Sequence, residues 1–350
     1  MKFKATVIFI LSLFFYRQGN GKDFSTYNFH INKAELAIID NRYADALHSF
    51  DSALIFDSVS YAQDLFNASL CALKIGLHER SLWYCYKLAQ RGVGIEFFDT
   101  KTIFGPLKSN HVLWDSLLVL AKDKQEYFNA KYADILLVVD SLVQKDQAMN
   151  KRWRDSKMDS EVERLMDLTN DTIAKALHNL LTKEGFLSEK LIGAKPNPEG
   201  EFYIRTPFDV IIIHNYESRR VGDSLFNDVL YDALINELIK QDYYAFIRDF
   251  AGGHSSIDYF GSGHLFVQYN CTIYKSKFAD LEEIKKQRKR IGLGTLEDYA
   301  KKIVFNIQNP SSDFQINGHC AKYMNFKNKE SEEMFLKGHE IFIAKIPNCQ

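Results

Sequence analysis

The chain has 350 residues, 46% hydrophobic and 25% charged, enough to bury a core in each of two ordinary domains, and this excludes an intrinsically disordered chain. Forty-four basic against 45 acidic side chains leave a net charge of −1, so composition supplies no footprint for nucleic acid or an anionic membrane. Twenty-seven Phe, 18 Tyr and 3 Trp beside only 6 Pro indicate helices packed through large side chains.

Lys2 and Lys4 precede an uncharged, mainly apolar run from Ala5 to Tyr16, followed by Arg17 and Gly19-Asn20-Gly21. This is the pattern of a signal peptide over residues 1–21. The run is shorter than the roughly twenty residues a spanning helix needs, so cleavage, export to a periplasmic or secreted location and no stable membrane span afterwards are expected. A retained anchor is the alternative. Loss of Lys2, Lys4 and Arg17 takes the net charge from −1 to −4. Five cysteines, an odd and sparse set, make no disulfide framework. Cys71 and Cys85 fall on apolar helical faces, and Cys320 and Cys349 are candidates to pair in an oxidising compartment.

Asn41 to Leu54 aligns with Gly76 to Ala89 at an offset of 35 residues, with small or apolar residues recurring at 46/81, 50/85 and 53/88. That spacing is the stripe of a helix facing its neighbours. Preceding helices are expected near Phe29–Ile39 and Tyr61–Ile75, the latter capped by Gly76. The pattern resembles the second helix of a tetratricopeptide repeat, with Phe97, Phe98, Phe104, Leu107 and Trp114 beginning a third unit. The resemblance implies a groove that takes a protein or peptide partner, lined by Tyr43–Ala53 and His78–Leu88. Repeats that only dock the second half are the alternative.

Residues 122–184 contain neither proline nor glycine and read as long helices, the mixed-charge stretch Gln144–Glu163 being a solvated surface. Pro196-Asn197-Pro198-Glu199-Gly200 marks a loop. Phe208–His214 suits a strand or a buried helix equally. Helices follow at Leu225–Ile239 and Gln241–Phe250, a strand at Leu265–Tyr274, and a helix at Ala279–Arg290 whose basic last turn suits a solvated terminus. Thr295 with Asp298 caps a further helix, and the tail from Pro310 is polar and weakly patterned.

In the second half, Asp146-Gln147 with Arg152, Gly185-Phe186, His214 after a hydrophobic run, Arg248-Asp249 and Tyr259-Phe260-Gly261 stand out as polar or turn residues in apolar surroundings. Their order resembles an uncharacterised bacterial family of exported domains of unknown function, some preceded by tetratricopeptide-like helices. The family shows Asp-Gln with Arg, Gly-Trp, Gln-His, Asp-Arg and Tyr-Gly-Thr-Gln. The likeness spans roughly Val139 to Tyr274, and this chain departs from it at Phe186, Ile213 and the reversed Arg248-Asp249. An arginine in such a set holds a carboxylate or other anion, His214 exchanges a proton and Asp249 orients it. The same residues equally make a buried structural network. His214, His254, His264 and Asp258 are of zinc-ligand type, but their spacing matches no recognised site. Ser255 and Ser256 after Gly252-Gly253 form a turn, not a nucleophile elbow. No cofactor motif is present, and no cofactor is expected.

The expected architecture is mainly α, with tetratricopeptide-like repeats over 22–128, a mainly helical domain with a small β element over 129–274, and C-terminal helices and tail over 275–350 packed on that domain. The expected function is an exported binding or scaffold protein. The alternative is a hydrolase-like enzyme using His214 with Asp249 and Arg152 or Arg248, with Asp146, Gln147 and Tyr259 around the ligand.

Overall fold

The computed structural model describes residues 24–55, 60–157, 159–202, 206–218, 225–251, 260–263, 265–277, 279–318, 321–322, 326 and 328–346. Residues 1–21, expected to be a signal peptide, lie outside them, as do Cys320 and Cys349. The protein is mainly α with a small β element.

Two helical hairpins open the fold, α1 (Phe24–Ile39) with α2 (Tyr43–Leu54) and α3 (Ala62–Lys74) with α4 (His78–Gln90). Both turn the same way. Asn41 and Gly76, 35 residues apart, take φ of 58° and 75°, and each closes its helix with the paired bonds of a Schellman motif. Those bonds run from Asn41 N to Ile38 O and Arg42 N to Ala37 O, and from Gly76 N to Leu73 O and Leu77 N to Ala72 O. The residues of the 35-residue alignment, Ala46/Ser81, Phe50/Cys85 and Ala53/Leu88, are all buried. After the short α5 (Ile95–Thr100) and a 3₁₀ turn over Thr102–Ser109, Phe66, Phe97, Phe98, Phe104 and Trp114 pack as an aromatic cluster with ring centroids 5.4–6.4 Å apart.

The helix α6 (His111–Asp155) runs 45 residues without a break, about 67 Å at 1.5 Å per residue. Its first turns contribute Trp114, Leu117 and Ala121 to the core of the hairpins. Farther on, Tyr132, Val139 and Leu142 enter a second core built with α7 (Ser160–Glu184), α9 (Asp209–Ser218), α10 (Asn227–Ile235) and α11 (Gln241–Ala251). The boundary expected near residue 128 thus falls inside one continuous helix. The chain turns at Lys157, φ 57°, and the mixed-charge stretch is solvated on one face only, since Asp146, Met149 and Asn150 are buried. The segment from Phe208, which suited strand or helix, is helical as α9, packed between α7 and α11.

The segment expected as one strand to Tyr274 is instead a hairpin, β1 (Phe266–Tyr269) and β2 (Thr272–Ser276). Asn270 and Cys271 at its tip have φ of 48° and 57°, the left-handed pair a two-residue hairpin turn requires. Next come α12 (Leu281–Arg290) and α13 (Leu296–Gln308), the latter opened by the reciprocal capping box of Thr295 and Asp298. Two expectations change here. The weakly patterned tail supplies β3 (Ala321–Lys322), α14 (Lys329–Gly338) and β4 (His339–Ile343), completing a sheet of order β3-β1-β2-β4. Arg288, placed on a solvated terminus, is 3% exposed and donates to the carbonyls of Phe260 at 2.6 Å and Gly294 at 2.7 Å.

The C-terminal part also packs on the first hairpins. Lys302 of α13 pairs with buried Glu35 of α1 at 2.5 Å. The extended stretch Phe314–Gly318 lies along α3, where Asn67 accepts from Gln315 N at 2.9 Å and donates to Gln315 O at 2.8 Å. Gln63 and Asn317 exchange amide hydrogen bonds beside them, at 2.9 and 3.1 Å. Phe314 stacks on Tyr43 with centroids 5.6 Å apart, and Tyr86 of α4 donates to Leu113 O of α6 at 2.9 Å. Phe314 and Leu113 of the same chain thus contact α2 and α4, the helices expected to line a groove. Among the described residues, no helix is long and apolar enough to cross a membrane.

Candidate functional site

Two regions carry chemistry. The first assembles around His214, which α9 presents toward α6. Asp146 Oδ1 lies 2.9 Å from His214 Nδ1, with Asp146 1% and His214 20% exposed. A carboxylate oxygen only accepts, so Nδ1 carries the proton and Nε2 is left as the acceptor. Gln147 donates to the second Asp146 oxygen at 2.9 Å, and Asn150 donates to the Asp146 backbone carbonyl at 2.9 Å. Asn150 Nδ2 also lies 3.2 Å from His214 Nδ1 and packs beside it. The imidazole is thus held in one tautomer, the arrangement a general base requires.

The other residues of the expected set stand elsewhere. Asp249, expected to orient His214, accepts from the backbone N–H of Phe260 at 2.9 Å and of Ser262 at 2.6 Å, and so anchors the chain entering β1. Arg248 donates to Asn227 and, at 3.3 Å, to the hydroxyl of Tyr216. Arg152, nearly two turns beyond Asp146 on α6, is exposed beside a shallow groove with Met149, Leu168 and Ile173. Tyr259, His254, His264 and Asp258 lie outside the described residues, as do Ser255 and Ser256. Among the described residues no three His, Cys, Asp or Glu side chains converge as metal ligands.

The second region went unread in the sequence because its residues come from five separate segments. A cavity of about 510 Å³ opens between the start of α3, the middle of α6, the short α8 (Glu189–Ile192), Phe202 with Thr206 and Pro207, and the start of α11. Its walls are largely apolar, with Leu136, Leu187, Ile192, Leu238, Ile239 and Tyr243 among them. Charge is concentrated at one side. Lys240 Nζ is 2.7 Å from Asp64 and 3.1 Å from Gln63, and Tyr27 donates to the other Asp64 oxygen at 2.6 Å. Glu189 accepts from Ala62 N at 2.7 Å, satisfying a first-turn donor of α3. Burial pushes the Glu189 carboxyl above the usual carboxylate range against the pull of that bond and of Arg91. Beside it, burial and the neighbouring Arg91 bring the Lys190 amine down to about 7, with its Nζ 4.3 Å above the Tyr61 ring. A volume of this size, apolar with a few fixed polar groups, lies within the range of small-molecule sites.

Cys271 is disulfide-bonded, whereas Cys71 and Cys85 are free and buried. Burial pushes the Cys71 thiol up to about 12, so it behaves as a small hydrophobe and not as a nucleophile. Comparison of the chain with family models, with curated proteins and with solved structures finds no match.

Proposed function

We propose that this chain is an exported binding protein that holds a small ligand in the cavity between the first hairpins and the second helical layer. The observation that carries this reading is the cavity itself, about 510 Å³ with apolar walls and a polar end made by Glu189 and Lys240. Two further features support it. The helices α2 and α4, expected to line a groove, already meet Phe314 and Leu113 of the same chain, which favours the cavity as the concave site. A disulfide at Cys271 suits an oxidising compartment, in keeping with the signal-peptide pattern of residues 1–21. The solvatochromic probe N-phenyl-1-naphthylamine tests it. The wild-type chain is expected to enhance its fluorescence saturably, and Leu136→Trp, which fills the cavity from α6, to weaken binding at least tenfold with the helical circular dichroism unchanged. Leu238→Trp repeats the test from the opposite wall. No enhancement by the wild type, or equal binding by both folded variants, overturns the proposal.

A second reading is favoured by the 2.9 Å contact of His214 with Asp146, namely a hydrolase in which Nε2 removes a proton from water or a hydroxyl. Asp146 takes the role first given to Asp249. Turnover of p-nitrophenyl acetate or p-nitrophenyl phosphate by the full chain, falling 100-fold or more in His214→Ala, is the expected result of that reading. Turnover no greater than buffer, or unaffected by the substitution, removes it.

A further inference from the structure

One residue of the expected set remains without a role. Arg152, expected to hold a carboxylate, stands apart from His214 and lines an open groove of about 590 Å³ between α6 and α7. Lys145 lines the same groove seven residues earlier on α6. Both side chains are exposed, and neither makes an ion pair among the described residues. Asp155, one turn on from Arg152, is paired with Lys151, and Asp171, beside Thr172, with Lys175, each at 2.6 Å. No acidic residue lines the groove itself, so its two cations are uncompensated there.

Between the cations the surface is apolar. Met149 and Ile173 are buried along it, while Ala148 is exposed and Leu168 is 55% exposed. The hydroxyls of Thr169 and Thr172 donate to the carbonyls of Leu165 and Leu168, at 2.8 and 2.9 Å. Seven residues of helix set Lys145 and Arg152 about 10 Å apart along one face of α6. A helix laid along the groove carries carboxylates at that same spacing, with apolar residues three and four positions on from the first to meet Met149 and Leu168. A lipid surface calls for a broad basic face instead, and here both signs interleave, as in Lys151–Asp155 and Arg164–Glu161.

We infer that the groove between α6 and α7 docks an amphipathic helix of a protein partner, one whose two carboxylates, two turns apart, meet Lys145 and Arg152. The test is isothermal titration calorimetry of the full chain with two synthetic sixteen-residue alanine-based helices at low ionic strength. Each carries leucines along one face, flanked by glutamates seven residues apart in one peptide and by lysines in its twin. The glutamate peptide is expected to bind saturably, with a Kd at least fivefold below that of the lysine twin, and added salt is expected to narrow the gap. Lys145→Glu combined with Arg152→Glu is expected to reverse the preference. Leu168→Ser is expected to weaken the glutamate peptide threefold or more, with helical circular dichroism unchanged in both variants. No saturable binding by the wild type, equal binding of the twins, or a preference unaltered by charge reversal overturns the proposal. Co-sedimentation of the wild type with phosphatidylglycerol vesicles, lost on charge reversal while neither peptide binds, overturns the helical partner in favour of an anionic lipid surface.

Discussion

Replacing Lys240 by methionine is expected to cost the fold about 3–5 kcal/mol, the usual penalty for removing one partner of a buried ion pair. Lys240 is 7% and Asp64 2% exposed, and they meet at 2.7 Å. Without the ammonium, Asp64 keeps, among the described residues, Tyr27 as its side-chain donor at a position 2% exposed. The double substitution Lys240→Met with Asp64→Leu should recover most of that loss, because the desolvation penalty then disappears along with the attraction. Chemical denaturation of the single and double variants measures both. A single-variant loss below about 1 kcal/mol, the level of an exposed pair, would show that solvent reaches the junction. A pH dependence follows with a definite sign. Burial lowers the Lys240 pKa, but Asp64 and Glu35 outweigh it and hold the folded value above the ordinary one. The stabilisation is therefore complete below the unfolded lysine value of about 10.4 and is lost as pH rises through the folded value. Lys240→Met should flatten that alkaline loss.

Phe66→Ala is expected to be as damaging, about 3–5 kcal/mol, through a different mechanism. The ring is 0% exposed and meets Phe97, Phe104 and Phe202 with centroids at 5.4, 6.2 and 5.9 Å. Truncation removes the transfer free energy of the ring and leaves a space that four-way aromatic packing cannot close by small shifts. Phe202 lines the cavity, so the same variant should also weaken binding of N-phenyl-1-naphthylamine. Phe29→Ala is the internal control. That ring is 62% exposed, and its removal should change stability by no more than about 0.5 kcal/mol. Equal losses in the two variants would contradict the aromatic cluster as the centre of the hairpin core.

Much of the fold is legible in short stretches of residues. The 35-residue offset locates two hairpins because a stripe at four- and three-residue spacing, with a left-handed residue after each first helix, is complete within about thirty-five positions. Thr295 and Asp298 announce α13 in the same way, since a cap is made between residues three apart. Elements whose state depends on what packs against them are not legible. The Phe208–His214 run suits strand and helix alike until α7 and α11 enclose it, and the tail shows too little periodicity to announce β4 before β2 supplies its hydrogen-bonding partner.

The candidate sites divide along the same line. Asp146 and His214 stand out in the sequence as polar residues on apolar faces, yet they are 68 positions apart, and nothing in either neighbourhood says that they meet while Asp249 turns to the 260–262 backbone. The cavity has no local signal at all, being made where Tyr61, Leu136, Ser188, Phe202 and Lys240 converge. By itself the sequence determined the helical class, the hairpin repeat, the caps and the near-neutral charge, all properties of neighbouring residues. Only the tertiary structure decided which charges neutralise one another, which helices the chain's later residues pack against and where an empty volume remains. Closing loops of that length costs entropy that no single contact offsets, so those pairings exist only when the whole core forms together.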